Sequence, residues 1–171
     1  WVPPGAPRER GGDTTYRCVV DGQGNAVSLI TSLSAPFGSQ VVAGDTGILL
    51  NNRAGRGFTL EAEHPNVIAP GKRTMHTLNC YLITGESGLR WVGGTPGGDQ
   101  QPQWNMQVIV NLIDFAMDPQ AAVEAPRWYS FPGTDPKNLP NPYVLRVEGR
   151  VPEVVTTDLT RRGHRVERLR D

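Results

Sequence analysis

Thr14 and Ser32 stand at the outer ends of two β-rich runs, TTYRCVVD and AVSLITSL, joined by Gly22-Gln23-Gly24-Asn25. Glycine and asparagine at that junction predict a tight hairpin turn. A hairpin turning on Gln23-Gly24 pairs residues whose numbers sum to about 47, bringing Ser32 opposite Thr14 or Thr15. Two hydroxyls then meet at the end of the hairpin. Further on, Gly97-Gly98 precede an apolar helical pattern. Backbone N–H groups there, unscreened by side chains at a positive helix end, suit a developing oxyanion. Asp99 is expected to cap that helix or to orient the glycine loop. Threonines at strand starts and glycines before helices are commonplace, so composition alone does not single out this set.

The elements that must position these residues are readable in outline. A short strand is expected at Gly47–Leu50 and a polar loop over 51–73, where Asn51 and Asn52 hydrogen-bond the backbone. A second hairpin pairs Leu78–Thr84 with Leu89–Gly93 across Gly85-Glu86-Ser87-Gly88. The helix runs over 100–117. Gln103, Gln107, Asn111, Asp114 and Asp118 form one thin polar stripe on it, and apolar residues fill the remainder, so most of its surface must be covered. A short helix over 119–125, extended segments over 127–131 and 143–148, an amphipathic helix over 152–162 stopped by Gly163, and a strand over 164–169 follow. Strands, a buried helical layer and then mixed elements indicate an α+β layered fold.

Composition removes several classes. The 171 residues suit one domain, and 37% hydrophobic content is too high for a disordered chain. The longest apolar stretch, Met106 to Met117, is interrupted by Gln107, Asn111 and Asp114, which argues against a membrane span. Seventeen basic residues balance seventeen acidic ones. The basic C-terminal cluster (Arg161, Arg162, Arg165, Arg168, Arg170) is interrupted by Glu167, so a solvated surface is expected rather than nucleic-acid contact. Only Lys72 and Lys137 are lysines among the cations. That bias fits either anionic ligands or the codon usage of a GC-rich genome. Cys18 and Cys80 lie in apolar segments and are expected to be buried free thiols, which favours cytoplasm. His64, His76 and His164 lack metal-ligand spacing, and neither a metal nor another cofactor is expected.

The segment GGDTTYRCVVDGQGNAVSLITSLSAPFGSQVVAGDTGILLNNR, followed by APGKRTMHTLNCYLITG, GGTPGGDQQPQWNMQVIVNLIDF and DPQAAVEAPRW, resembles the small subunit of the γ-glutamyltranspeptidase family from Thr14 onward. The resemblance implies an N-terminal nucleophile hydrolase with an αββα four-layer sandwich, about half of it supplied by this chain. It implies a precursor cut between Asp13 and Thr14, with 1–13 a linker or pro-segment and 14–171 the small-subunit catalytic domain. Thr14 would be the nucleophile, Gly97 and Gly98 the oxyanion donors. Ser32 stands where the family carries a second threonine that hydrogen-bonds the nucleophile. The implied partner is the large subunit of the same precursor, giving a heterodimer or a dimer of heterodimers. No nucleic acid or membrane is implied.

Departures from the family pattern bear on substrate. Ser34, Arg53 and Arg56 replace the Asn, Gln and Asp that hold a γ-glutamyl α-amino group, and two cations there would repel an ammonium. His76 and Thr77 replace paired serines that hold the α-carboxylate. The chain is therefore more similar to transpeptidase-like amidohydrolases, including oxamate amidohydrolase, and to cephalosporin-type acylases. The expected substrate is a small amide whose acyl part carries a carboxylate or carbonyl, contacted by Arg53, His76, Thr77, Ser34 and Asp99. Plainer readings stand beside these: Arg53 and Arg56 solvated or paired with Glu61 or Glu63, and His76 an interior histidine. The alternative activities are γ-glutamyl transfer or glutathione hydrolysis, that of a cephalosporin-type β-lactam acylase or acyltransferase using the same acyl-enzyme, and a non-catalytic remnant that binds a partner. The start at Trp1 and the stop at Asp171 are expected to mark a fragment of a longer chain.

Overall fold

The computed structural model describes residues 14–133 and 140–170. The expected linker over 1–13, with Asp13, lies outside the described residues. β1 (Thr14–Val20) and β2 (Ala26–Ser32) form an antiparallel hairpin in which Thr14 pairs with Ser32 and Thr15 with Thr31. The turn is closed by one carboxylate. Asp21 accepts from the Gln23 and Asn25 backbone N–H groups at 2.9 Å each and from Asn25 Nδ2 at 2.8 Å. The Asn25 side-chain bond leads the contacts that hold the Asp21 pKa below its ordinary value. A depressed carboxyl pKa adds stability above the unfolded-state pKa and loses it as pH falls through the folded one. Asp21→Ala should therefore melt below the wild type at neutral pH, with the gap closing below about pH 4. Equal gaps at both pH values in thermal unfolding would remove this role.

A short helix, α1 (Arg53–Gly57), leads toward the second hairpin, β3 (Cys80–Gly85) with β4 (Gly88–Gly94). The two hairpins lie close because Gly94 has no side chain: a Cβ there would stand 2.6 Å from the Tyr16 ring. Ser28 Oγ donates to the Gly93 carbonyl at 3.1 Å, and Cys80 Sγ donates to the Ser28 carbonyl at 3.3 Å. Burial pushes the Tyr16 and Tyr81 hydroxyl pKa values up, so both stay protonated at neutral pH.

A 3₁₀ turn (Gly98–Gln100) feeds α2 (Gln101–Ile113), followed by α3 (Pro119–Glu124). The last sheet has the order β5 (Trp128–Phe131), β6 (Val144–Val147), β7 (Val166–Arg168), with α4 (Glu153–Arg161) carrying the chain from β6 to its parallel neighbour β7. The polar stripe of α2 has a specific use. Gln103 accepts from Ser130 N at 2.7 Å, while Gln107 accepts from Trp128 N at 3.1 Å and donates to the Trp128 carbonyl at 2.8 Å. Side-chain amides thus satisfy the edge of β5 that no strand covers.

Several sequence expectations are corrected. The strand over 47–50 reduces to a single bridge, Val42 with Leu49, because left-handed Gly44 and Gly47 curl the segment into a tight loop. The loop over 51–73 contains α1. Asp99 does not cap α2: it lies within the 3₁₀ turn, and no side chain caps the helix. α2 ends at Ile113 rather than 117, since Ala116 turns left-handed (φ 50°) and Met117 N–H returns to the Asn111 carbonyl at 2.9 Å. Asp118 instead caps α3, accepting from Gln120 N and Ala121 N. Cys18 and Cys80 are exposed, not buried.

Among the described hydrophobic residues only Ile30, Leu112, Ala122, Val144 and Val147 are buried. Large apolar side chains such as Val19 (65% exposed), Phe115 (66%) and Val154 (75%) stay open to solvent. So small a core beside so much open apolar surface suits one part of a larger fold. Among the described residues no helix is long and apolar enough to cross a membrane.

Candidate active site

Chain pairing places Thr14 Oγ1 2.8 Å from Ser32 Oγ. Ser32 Oγ also accepts from the Ser34 backbone N–H at 2.9 Å. One lone pair of Ser32 is thereby occupied, leaving its O–H and a second lone pair for Thr14. Ser34 adopts φ 75°, a conformation costly for a residue with a side chain, and its buried Oγ has no hydrogen-bond partner among the described residues. Backbone strain next to a hydroxyl pair is the kind that positions functional groups.

Thr14 and Ser32 open on a cleft of about 1010 Å³ whose lining includes Ser34, Arg53, His76, Thr77, Gly97, Gly98 and Asp99. Every described residue of the sequence-predicted set therefore borders one space. Asn51 Oδ1 accepts from Arg53 N at 3.0 Å, and Asn52 Oδ1 accepts from Ala35 N at 3.1 Å, so both asparagines tie loop backbone as expected. Arg53 Nε donates to the Met75 carbonyl at 2.8 Å, orienting the guanidinium plane on the α1 side of the cleft. His76 is exposed to the cleft rather than interior. Gly97 (φ 141°) and Gly98 (φ 55°) turn the chain into the 3₁₀ turn, and the Trp104 ring backs Gly97 closely. Gln101, almost wholly buried, accepts from Asn79 N at 2.9 Å and joins the start of α2 to the segment entering β3.

Sequence reasoning missed part of the lining. Trp104, Phe131, Pro132 and Arg146 also line the cleft. Trp104 reads in sequence only as one more apolar helix position, and Arg146 as a polar residue in an alternating strand. Among the described residues no group of three or more His, Cys, Asp or Glu side chains could hold a metal ion.

An α+β architecture that sets a strand-leading threonine against a glycine loop defines the class: this is part of the N-terminal nucleophile hydrolase fold. It superposes on γ-glutamyltranspeptidase of Helicobacter pylori with a TM-score of 0.77 at 30% identity, covering 91% of this chain and 84% of that one. On cephalosporin acylase of Bacillus halodurans the TM-score is 0.78 at 39% identity, covering 91% of this chain and 27% of that one. The chain belongs to the γ-glutamyltranspeptidase family, whose sequence model matches residues 3–171. It is 42% identical over 168 residues to a glutathione hydrolase-like proenzyme, YwrD, of Bacillus subtilis, covering 98% of this chain and 31% of that protein. It is 38% identical over 160 residues to oxamate amidohydrolase proenzyme of Klebsiella pneumoniae, covering 94% of this chain and 29% of that protein. The chain thus spans under a third of the length of these curated relatives.

Proposed function

We propose that this chain is the small-subunit region of a self-processing amidohydrolase with Thr14 as its nucleophile. The observation that carries the reading is the 2.8 Å contact between Thr14 Oγ1 and Ser32 Oγ on the cleft that Gly97 and Gly98 also line. In the precursor the Thr14 hydroxyl attacks the Asp13 carbonyl, the peptide C–N bond breaks as an ester forms, and water hydrolyses that ester. The freed α-amine, with a pKa of about 8 against about 10.4 for a lysine, accepts the Thr14 hydroxyl proton near neutral pH. Thr14 Oγ1 then adds to the substrate amide carbon, and the oxyanion is held by N–H groups of the Gly97-Gly98 turn. The leaving amine takes the proton from the α-amine, and water releases the acyl group.

Mass spectrometry and N-terminal sequencing of the full-length precursor test the reading. A species beginning at Thr14 is expected, and a chain left whole under folding conditions would overturn it. The large subunit of the same precursor is the proposed partner, and the exposed apolar faces of α2, β1 and β2 support it.

The acyl group is a small one bearing a carboxylate or carbonyl, of the oxamate type, held by Arg53 with Ser34, His76, Thr77 and Asp99 beside it. Loss of a charge-assisted contact raises KM about tenfold or more. Arg53→Ala should show that rise with kcat little changed, whereas an unchanged KM would remove the anchor. An acylase reading has comparable support, since identity to the Bacillus halodurans cephalosporin acylase is 39%. A γ-glutamyl reading has comparable support too, since identity to the glutathione hydrolase-like proenzyme of Bacillus subtilis is 42%; the sequence feature that argues against it is the replacement by Arg53 and Arg56 of residues that hold a substrate ammonium.

A further inference from the structure

Trp104 packs against the Gly97 turn and also carries a charged group over its ring. A Cβ built on Gly97 would stand 2.5 Å from Trp104 Cζ3 and 3.0 Å from Cε3, so ring and turn backbone are in close contact. Arg127 Cζ lies over the same ring, 5.1 Å from its centroid and within cation–π range. Glu148 holds that guanidinium. Its Oε1 accepts from Arg127 Nε at 3.2 Å and pairs with Nη2 at 3.1 Å. Glu148 Oε2 accepts from the Arg127 backbone N–H at 3.1 Å, and the Glu148 N–H donates to the Arg127 carbonyl at 2.9 Å. Arg150 Nη2 adds a contact to Glu148 Oε2 at 3.1 Å, while its Nη1 donates to the Glu124 carbonyl at the end of α3 at 2.6 Å.

A fork held at two nitrogens, with its own backbone tied to the same residue, has one orientation available to it. That orientation puts the guanidinium on Trp104, whose ring Tyr129 also meets edge-on at 5.9 Å. The ring is thus fixed from two elements, and Gly97 is the residue that needs it fixed. Glycine backbone is freer than that of any other residue, so the direction of the Gly97 N–H depends on what packs against it. Neither Arg127 nor Glu148 is among the residues that line the Thr14 cleft.

We propose that Arg127 and Glu148 are positioning residues for the oxyanion turn. The carboxylate fixes the guanidinium, the guanidinium holds the Trp104 ring, and the ring holds the Gly97 N–H in the direction where charge develops on the acyl oxygen. The assignment rests on the amidohydrolase reading. It acts on an oxyanion common to every amide, so it is independent of which acyl group the enzyme prefers. Because the stabilised charge exists only in the transition state, loss of the pair should appear in kcat rather than KM.

The test uses the processed full-length enzyme, with kcat counted per exposed Thr14 amino terminus. The substrate is oxamate or γ-glutamyl-p-nitroanilide, whichever the wild type turns over. Glu148→Gln, which keeps the shape and removes the charge, should lower kcat about tenfold, and Arg127→Met about tenfold to a hundredfold, with KM changed less than about twofold. In a Trp104→Ala background the guanidinium has no ring to hold, so Glu148→Gln should change kcat less than about twofold. If that background does not fold, the kcat-against-KM split of Glu148→Gln decides. A merely structural pair would lower the melting temperature and the yield of cut protein while kcat per amino terminus stayed at the wild-type value, or would cost the same factor with and without Trp104. Either result overturns the assignment while leaving the amidohydrolase reading intact. A processed wild type that turns over neither substrate defeats the parent reading and the assignment with it.

Discussion

Thr14→Ala should leave the precursor uncut and abolish amide turnover, by on the order of 10⁴-fold or more relative to the processed wild type. The size of the effect follows from strand geometry. Successive side chains of β1 point to opposite faces, so Thr15, paired with Thr31, cannot present its hydroxyl where Thr14 meets Ser32. Ser32 cannot replace the nucleophile either, because inside the chain it has no α-amine to accept its proton. Thr14→Ser keeps the hydroxyl and should retain cleavage at a reduced rate. Mass spectrometry of the three proteins, followed by turnover of a small amide, checks the series. Cleavage of the alanine variant before position 14 would remove Thr14 from the chemistry.

Gly97→Ala should be the most damaging substitution in the glycine turn. Its Cβ would stand 2.5 Å from the Trp104 ring at a backbone φ of 141°. The ring has little room to retreat, with Arg127 over it at 5.1 Å and Tyr129 against it at 5.9 Å. Strained backbone and overpacking each cost about 1–3 kcal/mol, and a displacement of about 1 Å in a positioning group costs about 10²-fold in rate. We expect both a clear drop in melting temperature and a loss of turnover of that order. Gly98→Ala is the control: a Cβ there meets nothing within 4 Å, so only the left-handed backbone (φ 55°) opposes it. A Gly97→Ala/Trp104→Ala double variant should recover part of the turnover, since the two changes share one contact. Wild-type stability and rate in Gly97→Ala would show that the turn does not depend on this packing.

The corrections to the sequence reading share a physical origin. The end of α2 at Ile113 depends on Ala116 turning left-handed, and nothing in the side chain of alanine advertises that conformation. The exposure of Cys18 and Cys80 follows from how little of the described chain covers the two hairpins, whereas apolar sequence context only says what would favour burial. Gln103 and Gln107 are spaced as a solvent-facing stripe would be, yet they serve the edge of a strand more than twenty residues away.

Local chemistry was legible without coordinates. Hairpin turn residues set the pairing of Thr14 with Ser32 to within one position, and the glycine pair before an apolar helix marked the turn that shares their cleft. Those features depend on neighbours in the chain, where turn propensity and side-chain alternation dominate the free energy. The rest of the cleft lining was decided by tertiary structure. Arg146 and Phe131 reach the space around Thr14 only because β5, β6 and β7 pack beside α2 through Gln103, Gln107 and the Trp104–Tyr129 contact. Such contacts join residues far apart in sequence, and their energy comes from burial and hydrogen bonds that no local pattern records.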